Sequence, residues 1–229
     1  MLRRTLVVAA LTLGGCSAAL GERVHEQFHQ AISAGSAPLV KVDNVAGSVK
    51  VETWSKPVVE VYAVKSGYDA AALRGLTIEV SRDADAITIA THYAGGNHNG
   101  GVRYTITVPQ AASLDIANTA GEVRVAGATG NVRVQTQTGT IDARLERVEG
   151  DRTIDLRATT GTLVLRIAPE SSADVEAQSV VGSFSSDFPG IESTRTNIVG
   201  SRATGKIGSG VARIHLETTT GAISLRSLR

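Results

Sequence analysis

The chain has 229 residues, with 23 Lys and Arg against 22 Asp and Glu and a formal net charge of +1. So even a balance selects no acidic or basic partner, and the lack of a basic block or of rings for base stacking argues against nucleic acid. Aromatic residues make up only 3% of the chain, so a core must be thin and filled by Val, Ile, Leu and Ala.

Taken in chain order, the first signal is a short cationic head, "MLRR", followed by an apolar stretch, "TLVVAALTL". That stretch is too short to cross about 30 Å of hydrocarbon as a helix, and its layout is that of an export signal over residues 1–15. The segment Leu13-Gly14-Gly15-Cys16 resembles a bacterial lipobox, which implies cleavage between Gly15 and Cys16 and lipid attachment at Cys16. Cys16 is the only cysteine and has no disulfide partner in the chain. Attached acyl chains would hold the protein to a membrane. By the same resemblance, Ser17 after the cysteine favours the outer membrane, facing the periplasm or the cell surface. Residues 16–37, small and polar, are expected to form the lipidated N-terminus and a tether.

Inside that tether "RVHEQFHQAI" is ambiguous. Val24, Phe28 and Ile32 recur every four residues, which suits a helix face and equally one face of a strand. His25 and His29 have a spacing that could hold a metal on a helix, but no carboxylate–histidine motif completes it; exposed polar positions are the preferred reading. From Val40 onward the period is two almost everywhere. Asp69 is placed to cap a single helical turn through "AAALRG", ended by Gly75. "LTIEV" and "AITIATHY" pair as strands joined over "SRDADA". His92 and His98 flank a glycine-rich loop that reads as a solvated hairpin tip rather than a metal site. In "VRYTITVP" the residues Val102, Tyr104, Ile106 and Val108 face one way, and Pro109 stops the strand.

The second half repeats itself. Glycines stand at 121, 130, 139, 150 and 161, and "ATTGTLVLRI" at 158–167 returns as "TTTGAISLRS" at 218–227. Alternate glycines give a period of about twenty residues, two strands and two turns, the signature of a ribbon coiling on itself. Sixty positions between the near-copies then correspond to three turns. Glycine supplies the corner, and Val, Ile and Leu stack inward at the spacing of paired strands.

"VDNVAGSVKVETWSKPVVEV", "VRYTITVPQAASLDIANTAGEVRVAG", "TQTGTIDARL", "ATTGTLVLRI" and "TTTGAISLRS" together resemble the DUF4097 family of candidate adhesins over residues 38–229. The resemblance implies an all-β, right-handed, single-stranded β-helix-like solenoid of "toastrack" type, with an antiparallel N-terminal part. It also implies a place in the cell envelope, and it brings no catalytic motif and no cofactor.

Three functions fit: a lipid-anchored envelope module that binds other molecules, a polysaccharide-active enzyme, and a spacer or envelope-stress signalling component. The enzyme needs two carboxylates flanking one bond, and Asp142 and Asp155 are the candidates. Both have arginines nearby in sequence, the pattern of solvent-facing ion pairs, so no catalytic residue is assigned. For binding, Arg144, Arg166 and Arg226 each stand five residues after a turn glycine, with Arg124 and Arg133 three after. In-register rungs would align the first three as a column for an anionic polysaccharide; a solvated face of mixed charge is the preferred reading. An envelope protein is the other partner considered. The final strand "ISLRSLR" is expected to end the stack, as a docking edge or as one guarded by Arg226 and Arg229.

Overall fold

The computed structural model describes residues 23–84, 86–94, 100–196 and 199–228. The N-terminal part supplies β1 (Val24–Ser33), β2 (Leu39–Ala46), β3 (Val49–Trp54) and β4 (Val58–Gly67), then helix α1 (Ala70–Arg74). It continues with β5 (Leu76–Asp83), β6 (Ala86–Tyr93) and β7 (Gly100–Pro109). The centre supplies β8 (Ser113–Ala120), β9 (Val123–Ala126), β10 (Val132–Arg144) and β11 (Thr153–Ile167). The C-terminal part supplies β12 (Ala173–Val181), β13 (Phe184–Ser186), β14 (Ile191–Thr196), β15 (Gly200–Ile207), β16 (Ala212–Thr220) and β17 (Ile223–Ser227).

Side-chain alternation explains how these strands make a core. In β10, Val132, Val134 and Thr136 point inward before Gly139, and Ile141 and Ala143 after it, so the inward phase changes from even to odd at the glycine. The same change occurs across Gly161 in β11 and across Gly221 between β16 and β17. Each rung therefore bends at its glycine and packs both arms on one core of Val, Ile, Leu and Ala. The first face runs β5–β6–β2–β8–β10–β11–β16–β12–β15–β14. The second runs β1–β4–β7–β3–β9–β10–β11–β17–β13. The pairing is parallel through the middle of both faces, and antiparallel strands occur towards both chain ends rather than at the N-terminal end alone.

The corners form one line: Gly47, Gly121, Gly139, Gly161, Gly221 and Gly182, all with positive φ. At Gly161 φ is +152°, and a Cβ there would overlap the carbonyl oxygen of Gly139. Only glycine permits both the turn and the close approach of stacked backbone. Three residues before each corner sits a buried, mostly polar residue: Asn44, Asn118, Thr136, Ala158, Thr218 and Ser179. Asn118 Nδ2 donates to the Gly47 carbonyl at 3.3 Å, and Ser179 Oγ to that of Gly221 at 2.9 Å. These groups satisfy backbone that the bend takes out of the ladder. Towards the N-terminal part, Asn44 accepts from Thr91 at 3.1 Å, and Thr91 lies 2.7 Å from the Tyr104 hydroxyl. Burial pushes the Tyr104 phenol up to about 12.

Two expectations change. The near-copies are not three turns apart: Ala158 pairs with Thr218, Thr160 with Thr220 and Leu163 with Ile223, so β16 and β17 lie directly on β11. The chain between them leaves the stack, forms β12 to β15, and returns, placing β16 between β11 and β12. Consequently β17 is no terminal edge; it is covered by β13. Second, a strand, β1, starts at Val24, inside the stretch expected to be a tether. Each residue of β1 is paired with β4, Phe28 and Ile32 pack on the core, and Glu26 meets Lys65 Nζ at 2.7 Å. A period of four is also an even period, and the partner strand selects the extended form. The helical turn forms as expected, with Asp69 accepting from the Ala72 amide at 2.7 Å.

Candidate binding surface

The outward side chains of the first face form rows of alternating charge. One row reads Lys41, Asp115, Arg133, Asp155, His215, Glu176 across six strands. Asp155 lies 2.8 Å from Arg157 and 3.9 Å from Arg133, Arg157 lies 3.3 Å from Glu217, and Arg202 lies 2.7 Å from Glu176. The hydrogen bond from Arg157 to Asp155 raises the Arg157 pKa. Such an exposed lattice holds side chains in place and contributes little stability per pair.

On the second face Arg144, Arg166 and Arg226 come into line. Arg144 pairs with Arg166 and Arg166 with Arg226 on successive rungs. Their surroundings differ. Arg166 is bound by Asp142, and Arg226 donates to Asp187 at 2.8 Å and to Ser185 at 3.0 Å. Arg144 is exposed and its guanidinium has no hydrogen bond or ion pair with any described residue. Asp142 and Asp155 stand on different faces, one after and one before the corner, so they do not flank a common site. Arg124 belongs to the second face, 2.8 Å from Glu122, and Arg133 to the first.

Shallow grooves run across the second face and share residues from one to the next. One around Tyr68 meets the next at Ser48 and Arg103. That one continues at Lys50 and Arg124 to a third, lined also by Asp142, Arg144 and Arg166. The groove therefore crosses β7, β3, β9, β10 and β11. Sequence reading missed Arg23, Arg103 and Tyr68. The periodic pattern marked the column because its members repeat after corner glycines, whereas the other three are gathered from separate segments by pairing alone.

His29 lies 3.0 Å from Glu60 and His92 3.2 Å from Glu79, while His98, Gly15, Cys16 and Arg229 lie outside the described residues. Among the described residues no three His, Cys, Asp or Glu side chains converge as a metal site, and no helix is long and apolar enough to cross a membrane.

The family model described as Toastrack DUF4097 matches residues 98–226. Of solved structures, a candidate cell adhesion protein from Clostridium sporogenes ATCC 15579 is similar at a TM-score of 0.59 and 10% identity, over 90% of this chain and 100% of that one. A candidate adhesin from Bacteroides fragilis NCTC 9343 aligns at 14% identity over 89% of this chain and 97% of its own, with a TM-score of 0.28. The first likeness shows a shared fold. No curated protein matches the chain.

Proposed function

Because the chain belongs to the Toastrack DUF4097 family, we propose that it is a non-enzymatic binding or maintenance module of a bacterial cell envelope. It is exported by residues 1–15, cleaved before Cys16 and anchored by lipid on that cysteine, at the outer membrane. Its ligands are an anionic polysaccharide or an acidic surface of an envelope protein. The observation that supports binding is the register of the second face. Stacked rungs hold outward groups at a repeat of about 4.8 Å, and arginines recur along that repeat beside a continuous groove. A repeating anionic chain is the ligand such spacing suits. The carboxylates that a glycosidase would need are divided between the two faces and held by arginines.

Two measurements test this. Labelling cells with radioactive palmitate should mark the wild-type chain and leave Cys16→Ser unmarked; label retained on Cys16→Ser would contradict the anchor. Changing Arg144, Arg166 and Arg226 together to Gln should reduce retention on an immobilised acidic polysaccharide; unchanged retention would remove the column from the account.

A further inference from the structure

One part of the second-face groove is unlike the rest. Where β4 ends and β7 begins beside the β2–β3 corner, a cavity of about 380 Å³ is lined by Arg23, Ser48, Ser66, Tyr68 and Arg103, with glycine backbone between them. Among the described residues its lining contains no carboxylate. The neighbouring grooves along this face each contain at least one: Glu122, then Asp142, then Glu52 and Glu146. Arg103 is exposed and its guanidinium makes no hydrogen bond or ion pair with any described residue. Arg23 places its guanidinium 5.0 Å from the centroid of the Tyr68 ring. In a chain so poor in aromatics, Tyr68 is 66% exposed even with Arg23 over one side of its ring, which leaves apolar surface open beside two cations.

These features define a ligand chemistry. Two arginines with no carboxylate among the described lining residues favour an anionic group, and the planar guanidinium matches a carboxylate in two-point contact. An open ring next to hydroxyl groups and accessible backbone offers a face for a sugar ring and partners for its hydroxyls. The cavity opens through Ser48 and Arg103 into the groove that continues towards Arg144, so the ligand is extended rather than a lone ion. We propose that this cavity is a binding site for a carboxylated glycan, with Arg103 and Arg23 taking the carboxylate, Tyr68 the sugar face, and Ser48 and Ser66 its hydroxyls. The inference rests on the envelope-binding reading above and locates its tightest contact away from the arginine column.

The test titrates the full-length protein in neutral detergent with a hexamer of galacturonate and, separately, with its neutral methyl ester. Wild type should bind the acid hexamer and bind the ester at least ~10-fold more weakly, as loss of a charge-assisted pair implies. Arg103→Gln should weaken acid-hexamer binding by about 10-fold or more and flatten its salt dependence, and Tyr68→Ala should weaken both hexamers. Arg202→Gln, on the first face, should leave binding unchanged. The site is overturned if correctly folded Arg103→Gln binds like wild type, if acid and ester bind equally, or if wild type does not bind the acid hexamer. Loss of binding in Arg144→Gln but not in Arg103→Gln would also overturn it, while leaving the envelope-binding reading in place. A parallel flotation of Cys16→Ser with vesicles of phosphatidylglycerol in phosphatidylcholine identifies a lipid-headgroup ligand. Vesicle capture abolished by Arg103→Gln, with no hexamer binding, would assign the cations to a membrane surface and refute the glycan.

Discussion

In the centre of the molecule, β8 with β9, then β10, then β11 stack in the order the chain makes them, while the C-terminal part does not keep that order. After β11 the chain makes β12 and β13, then the antiparallel strands β14 and β15, and only then the rung that contacts β11. The rung that wins that position is the one whose side chains continue the core layers. Leu163 meets Ile223 and Leu165 meets Leu225, and the long β16–β17 rung offers pairing on both of its edges. The three-residue β13 is left at the edge, where a short strand presents little unpaired backbone to another chain. Complementarity between rungs, not adjacency in sequence, decides the stacking.

Substitutions can sharpen this contrast, beginning with the largest expected effect. Gly161 lies at the junction of both regions, between Gly139 and Gly221 in the corner line. Gly161→Ala should cost more than about 4 kcal/mol or prevent folding, because the added methyl collides with backbone on an adjacent rung. Gly210→Ala, in the turn that brings the excursion back, meets only flexible atoms of Lys206 and should cost about 1 kcal/mol from its positive φ. Urea midpoints of the two variants measure the difference.

The loops opposite the corner differ in the same sense. In the centre, half-buried Arg152 donates to the carbonyls of Ala128, Gly130 and Arg147 at 2.9 to 3.1 Å, and burial lowers its pKa. In the excursion the corresponding tie is an exposed contact of 2.6 Å between Ser172 and Ser209. Arg152→Met should cost about 3 kcal/mol, by stranding three carbonyls, and Ser172→Ala under about 1 kcal/mol. Thermal unfolding of both gives the comparison.

The N-terminal end of the corner line adds a pH dependence. Tyr104 has its folded pKa raised from 10.0 to about 12, chiefly by burial. Its contribution is complete below the unfolded value near 10 and is lost as pH rises through about 12, because the unfolded chain ionises first. Stability should therefore fall by about 2 kcal/mol between pH 10 and 12, a slope that Tyr104→Phe removes. The smallest effect concerns Ala158, which interrupts the buried polar line between Thr136 and Thr218, both with buried hydroxyls that have no hydrogen-bond partner among the described residues. Ala158→Ser should reconnect them and raise Tm by about 2 °C, from roughly 0.5 to 1 kcal/mol.

Much of this architecture is legible in the letters. The alternation in "VRYTITVP" gives the inward set Val102, Tyr104, Ile106 and Val108, and the glycines at 121, 139, 161 and 221 mark real corners. The Arg144–Arg166–Arg226 column is legible for the same reason, since it inherits the repeat. What periodicity lacks is long-range pairing. It cannot separate "ATTGTLVLRI" and "TTTGAISLRS" as neighbours from the same segments three turns apart, because either arrangement stacks like on like. Nor does it collect Arg23, Tyr68 and Arg103, which meet only because β1 and β7 both pair antiparallel with β4. The role of the third residue before each corner is half legible: the hydroxyl and amide letters are visible, but that they point inward follows from the bend.

The direct contact between β11 and the β16–β17 rung is the claim from which the surface map follows, and one crosslink decides it. In a Cys16→Ser background, Thr160→Cys and Thr220→Cys occupy paired positions on neighbouring strands, both exposed. Neighbouring strands about 4.8 Å apart fall within the Cα separations a disulfide bridges. Mild oxidation of the folded protein should form the intramolecular bond rapidly and nearly completely, read as a mobility shift reversed by reductant. A double variant that folds and yet forms no such bond would place the two segments on separated rungs and contradict the stacking described here.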